Sequence, residues 1–242
     1  MADRLLQRQA RLVEHLTSSA GIFGAVRGRS NDPTLHGIDL ALLHLEARLS
    51  HEKRMQKIEW VLTRSLELLG HRREVMIREF VEACPPTGIS WLGNARQFHA
   101  FLKARWQCEP PVPAHLPDIA AYEIAYATVR AGERHGPAGV AAGPAGTIRR
   151  HPAAVLLCFA HDIRPFLEVG GGNDTPALRE TRLAVTMLPG SDEPQVSELS
   201  RDLFEMLEML DRFIDPSIFH DMPDAEMLIQ DLAAGGLIEV HP

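Results

Sequence analysis

His161 and Asp162 stand side by side at the end of the apolar run Val155-Leu156-Leu157-Cys158-Phe159-Ala160. An imidazole beside a carboxylate is the start of a site for a hard cation that polarises phosphate and water. That chemistry needs further ligands, an upstream His and a downstream Asp on other elements. The preceding histidines, His135 and His151, fall in or beside a Gly/Pro-rich stretch, and Pro165 cuts short any helix beginning at His161. His36, His44 and His51 lie near one face of an expected helix, but spacings of eight and seven set neighbours about two turns, roughly 11 Å, apart. One metal cannot span that distance, and HExxH and HxxxH patterns are absent. Gly170-Gly171-Gly172-Asn173-Asp174 offers backbone N–H groups to a phosphate, yet no Lys-Ser/Thr follows, so a turn explains it better. There is no GxSxG. Cys84, Cys108 and Cys158 are odd in number, far apart and in no CxxC pair, which points away from a disulfide framework or thiolate zinc and predicts reduced, partly buried thiols. No catalytic or metal-ligating residue is assigned.

The elements that must position any site fall into two kinds. From Met1 to about Arg130 apolar residues recur near a period of 3.6. Asn31-Asp32-Pro33 reads as a helix start. Ile38, Leu42, Leu45 and Leu49, then Met55, Ile58, Leu62, Leu66 and Leu69, predict one long helix, or two broken near Ser50, ending at Gly70. Further helices are expected over 72–83, stopped by Pro85-Pro86, and from Ser90 with Phe98, Phe101 and Leu102 as the core face. After the extended Pro110 to Pro117 crossing, Asp118 is expected to cap a helix through Ile119, Tyr122, Tyr126 and Val129. Residues 132–147 hold five glycines and two prolines and read as a linker. Beyond it, 153–159 and 181–188 predict strands, Val196 to Leu210 a helix, 216–222 a short one, 224–234 another, and 237–240 a last strand. The expected fold is mainly α with a small α+β part: a helical bundle over 1–131, the linker 132–147, and a winged-helix-like peptide-recognition unit over 148–242.

Such a unit reads DNA through a basic helix, but 224–234 carries Asp224, Glu226 and Asp231 with no Lys or Arg, so nucleic acid is an improbable ligand. A peptide reader needs an exposed strand edge and an apolar groove. Arg182, Leu183, Ala184, Val185, Thr186, Met187 and Leu188 are predicted to supply the edge, and Met227, Leu228 and Leu232 one groove wall.

Composition bounds these readings. The 242 residues are 45% hydrophobic and 24% charged with net charge −7, which excludes disordered and collagen-like classes. No apolar run approaches the roughly 18 residues of a membrane span. Charged residues interrupt the N-terminal apolar positions at helical spacing, so no signal peptide is expected and the expected location is cytoplasmic. Residues 174–242 hold 15 acidic and 4 basic side chains, leaving 21 basic and 17 acidic in 1–173. An acidic C-terminal third repels phosphate backbones and attracts basic peptides.

MIREFVEACPP (76–86), FHAFL (98–102), LPDIAAYEIAYA (116–127) and RRHPAAVLL (149–157) resemble the helical partner subunits of multinuclear non-haem iron peptide-modifying enzymes, and LIQDLAAGGLIEV (228–240) resembles the last helix and strand of peptide-recognition domains that hold the leaders of ribosomally made natural products. The partner-subunit family includes methanobactin-type partners and, closer in its ending, those of the thiaglutamate pathway. The resemblance implies a non-catalytic subunit with no cofactor of its own, forming a heterodimer with an iron enzyme. It would hold the leader of a ribosomally made precursor while the partner oxidises a cysteine, in the thiaglutamate case excising its β-carbon. The family's N-terminal region has also been labelled DNA-binding, and Arg48, Lys53, Arg54, Lys57 and Arg64 keep a transcriptional regulator as the alternative; a solvated or enzyme-facing helix surface accounts for them more simply. The His161-Asp162 ending resembles the metal core of HD phosphohydrolases and supplies a less favoured one.

Overall fold

Ser18 separates the first two helices, α1 (Ala2–Thr17) and α2 (Ser19–Phe23), its hydroxyl accepting the Gly21 N–H at 3.1 Å. The computed structural model describes residues 2–24, 33–133, 144–167, 175–188, 190–219 and 224–241. Asn31 and Asp32 lie outside them, and Pro33–Leu35 forms a single 3-10 turn. The long helix α3 (Leu40–Glu59) starts instead at Asp39, whose Oδ1 accepts from the N–H groups of Ala41 (2.8 Å) and Leu42 (3.2 Å). It runs unbroken through Ser50. The interruption falls at Trp60–Leu62, ahead of α4 (Thr63–Leu68), and α5 (Arg73–Ala83) and α6 (Trp91–Cys108) follow, the last capped by Ser90.

The chain divides into two compact units, Met1–Leu116 and Pro117–Pro242. In the first, the core is built from Ile58, Leu62, Leu66, Phe80, Leu92, Phe98 and Leu102, none more than 1% exposed. Phe80 meets Phe98 edge-on at 4.9 Å between ring centres. The expected leucine stripe of α3 is not the buried one. Leu42, Leu45 and Leu49 are exposed, while Leu43, Ala47, Arg54 and Ile58 face inward. Ala47 packs with Ile22 of α2 and Val81 of α5, and only a small side chain lets the short α2 come this close.

The second unit begins at Pro117, in the first turn of α7 (Leu116–Arg130), so the division falls at the start of this helix and not at the Gly/Pro/Ala stretch, of which 134–143 lie outside the described residues. Asp118 sits in the first turn of α7, one turn further in than the expected cap. Strands β2 (Val155–Phe159), β3 (Thr181–Thr186) and β4 (Gln195–Glu198) form an antiparallel sheet in that order. A separate pair joins β1 (Ile148–Arg150) to β5 (Ile238–Val240). Helices α8 (Arg201–Met209) and α9 (Ala225–Ala234) lie between β4 and β5 in the chain. Alternation along the strands sorts the two faces. Val155, Leu157, Val185 and Val196 pack with Ala125 and Val129 of α7. Leu156, Ala184 and Leu199 turn the other way, into a core with Phe204 and Leu207 of α8 and Leu232 of α9. The result is mainly helical with a small antiparallel sheet portion. Residues 196–198, expected as the start of a helix, are strand, and α8 begins only after Ser200, whose hydroxyl accepts the Leu203 N–H at 3.2 Å.

Candidate functional site

The segment expected to offer a strand edge occupies the middle of the sheet. β3 pairs with β2 from Val155↔Val185 to Phe159↔Thr181 and with β4 from Thr186↔Gln195 to Leu183↔Glu198. A strand with a neighbour on each side has no ladder left to give, so strand addition at 182–188 is corrected on this ground. Leu183, Ala184, Val185 and Thr186 are at most 3% exposed. Arg182 pairs with Glu180, and Met187 and Leu188 lie half-buried past the end of the strand. Of the expected groove wall, Leu232 is core at 5% exposure and Leu228 packs against the same core, while Met227 faces solvent at 57%.

Among the described residues, the outer sides of β2 and β4 carry no strand partner. The Leu199 N–H donates to the Arg182 carbonyl at 2.8 Å. Because an antiparallel strand alternates its backbone groups between its two sides, Ser197 and Gln195 also turn theirs toward β3, and Val196 and Glu198 turn theirs outward. Sequence reasoning missed this edge. Its signal was the alternation Gln195, Val196, Ser197 just before a serine cap, overridden by the longer leucine pattern that follows.

Carboxylates frame this strand. Glu193 accepts from the Tyr126 hydroxyl at 2.8 Å and pairs with Arg130 at 3.2 Å; burial and then this carboxylate push the Tyr126 phenol up from its usual value. Glu198 pairs with Arg164 and with Arg179. Asp162 receives Arg164 Nε and Nη2, both at 2.7 Å, and Arg179 Nη2 at 2.8 Å. The Arg164 hydrogen bonds hold its carboxyl well below the usual carboxylate range. The neighbouring His161 turns elsewhere, to Asp118 of α7 at 2.7 Å. The pair expected to open a metal site therefore points two ways, each member committed to a different partner, and it follows a strand where the HD resemblance calls for a helix. His151 Nδ1 accepts the Ala153 N–H at 3.2 Å; His135 and Gly170 to Asp174 lie outside the described residues. No group of three or more His, Cys, Asp or Glu converges among the described residues. Cys108 and Cys158 are exposed and Cys84 is half-buried. No described helix is long and apolar enough to cross a membrane.

No protein-family model matches this chain, and no curated protein is similar to it at a significant level.

Proposed function

We propose that this protein is a non-catalytic accessory subunit whose winged-helix-like second unit receives an extended peptide as a fourth strand along β4. The observation that carries the reading is the outward-facing backbone of Val196 and Glu198 on an edge with no strand beside it among the described residues. Main-chain pairing supplies affinity for any extended segment, and exposed Gln195 and Ser197 leave room for side chains of varied shape. The carboxylates beside β4 are each matched by an arginine, and it is the wider excess of 15 acidic over 4 basic residues in the C-terminal third that favours lysines and arginines in the peptide. The sequence resemblance supports the leader of a ribosomally made precursor as that peptide, with a cytoplasmic multinuclear non-haem iron enzyme as the partner that carries the metal and oxidises a cysteine, the thiaglutamate-type β-carbon excision being the closest model.

The test is titration of a candidate precursor leader onto the full chain and onto Val196→Pro. Proline removes an N–H that faces the peptide and spares the bonds to β3. The expected result is a tenfold or greater loss of affinity in a variant that still unfolds cooperatively. Equal affinity would place the peptide elsewhere. Co-expression with a candidate multinuclear iron enzyme should yield one complex in size-exclusion chromatography, with iron eluting alongside it.

A further inference from the structure

The first unit holds a cavity of about 260 Å³ whose lining contains cations and no carboxylate. Lys53, Arg54 and Lys57 of α3 line one wall, and Leu16, Ile22 and Ile89 supply aliphatic surface. Arg54 is the unusual member, at 9% exposure. Its Nε donates to Asn94 Oδ1 at 3.0 Å, and its Nη2 to the Cys84 carbonyl at 3.0 Å and to Gln97 Oε1 at 2.8 Å. Every one of these acceptors is neutral. They fix the guanidinium in place, stacked 4.4 Å over the Phe80 ring, without cancelling its charge. Nη1 donates to no described residue. Burial draws the Arg54 pKa below the usual guanidinium value.

Buried charges are ordinarily paired, because an uncompensated one is costly. Elsewhere in this unit even part-exposed arginines are paired: Arg72 with Glu109, Arg73 with Glu59 and Arg105 with Glu79. Among the described residues, Lys53, Arg54 and Lys57 form no ion pair; Lys57 Nζ donates only to the Ile89 carbonyl at 2.9 Å, and Lys53 stands exposed at the rim. A second cavity, with Arg48 and Arg78 in its lining, adjoins the first at Ile22 and His51 and carries one acid, Glu52. Among the described residues, what sets this region apart is that one of its unpaired cations, Arg54, is buried.

We infer that this cavity binds an acidic peptide segment of a partner protein, with one carboxylate directed to Arg54, Lys53 and Lys57 and a neighbouring aliphatic side chain resting on Leu16, Ile22 and Ile89. A short segment fits better than a nucleic acid. The apolar lining is aliphatic, and the one aromatic ring in the lining, His51, is already engaged edge-on with Phe23. This site is independent of the β4 edge proposed above.

The experiment is fluorescence anisotropy of the full chain with a fluorescein-labelled peptide, Glu-Leu-Glu-Glu-Leu-Glu, repeated with Lys53→Glu, Lys53→Arg and Val196→Pro. The expected result is saturable binding that Lys53→Glu weakens at least tenfold and Lys53→Arg changes less than twofold, with Val196→Pro indistinguishable from the parent. Absence of saturable binding overturns the inference, as does equal binding by Lys53→Glu. Loss of binding in Val196→Pro would move the peptide to the second unit and overturns it too. Displacement by glutarate at the peptide's own affinity would reassign the cavity to a free small acid, and tighter binding of a single-stranded oligonucleotide of equal charge would reassign it to nucleic acid.

Discussion

Asp118 Oδ2 receives both the backbone N–H of His161, at 3.1 Å, and the His161 ring N–H at Nδ1, at 2.7 Å. The two side chains are 17% and 15% exposed, so the carboxylate of the first turn of α7 is tied to the residue that follows β2 at a largely water-excluded point. This is a structural use of a His-Asp pairing, formed with an aspartate far away in sequence and not with the adjacent Asp162.

Replacing Asp118 by Ala should therefore destabilise the second unit by about 1–3 kcal/mol, the cost of leaving a buried donor without its charged acceptor. His161→Ala should cost a similar amount. Urea unfolding followed by circular dichroism measures both. The double variant should lose less than the sum of the singles, since each removes the same hydrogen bond.

The imidazole of His99 is held neutral by burial, its pKa drawn down to about 4, and its Nε2 is buried with no hydrogen-bond partner among the described residues. An unfolded chain protonates this group near pH 6.5. Between pH 6.5 and 4 the unfolded state then binds a proton that the folded state does not, so stability falls as pH falls through that window and levels off below it. The shift corresponds to as much as about 3 kcal/mol. His99→Leu should flatten this part of the stability–pH profile; an unchanged slope in denaturant titrations at pH 7, 6, 5 and 4 would refute the assignment.

Side chains on opposite faces of α3 should respond in opposite ways. Leu45→Ser, at a position 50% exposed, should change stability by less than about 0.5 kcal/mol. Ala47→Leu, at a fully buried position between Ile22 and Val81, should cost about 1–3 kcal/mol through overpacking. Thermal unfolding of the two variants side by side is sufficient.

Gly236 has φ of 67°, and a Cβ there would stand 3.0 Å from the Met187 carbonyl oxygen. Both the left-handed backbone and the close approach require glycine between α9 and β5. Gly236→Ala should lower stability by about 1–2 kcal/mol, whereas Gly88→Ala, with open space around it, should not.

The elements were legible where a local rule and the burial pattern agree. Pro85-Pro86 ends α5, Ser90 caps α6, and Gly235-Gly236 separates α9 from β5, each through backbone chemistry that needs no tertiary partner. The stripe Leu42, Leu45, Leu49 misled because a period marks a face without saying which way it points; α2 packs against Ala47 on another side of the helix. The strand at 181–186 was readable, but whether a strand is central or at an edge depends on the pairing of segments distant in the chain, so the binding edge was assigned to the wrong member of the sheet. Arg54 was visible only as one cation in a basic stretch. Its burial beside neutral acceptors arises from residues 30 to 43 positions away.

β1 and β5 join residues ninety positions apart, with Arg149 paired to Glu239 across the ladder, and the Gly146 and His241 backbones extend the connection. Closing so long a loop is slow, because its entropy must be spent before any contact rewards it. During synthesis this ladder cannot form until residues 238–240 have left the ribosome, by which time every helix of the first unit has already emerged. Assembly should accordingly be vectorial: an early helical half, then a sheet-bearing half that waits with its strand edges uncovered, and any chaperone or partner engaged on the nascent chain would meet those halves in that order.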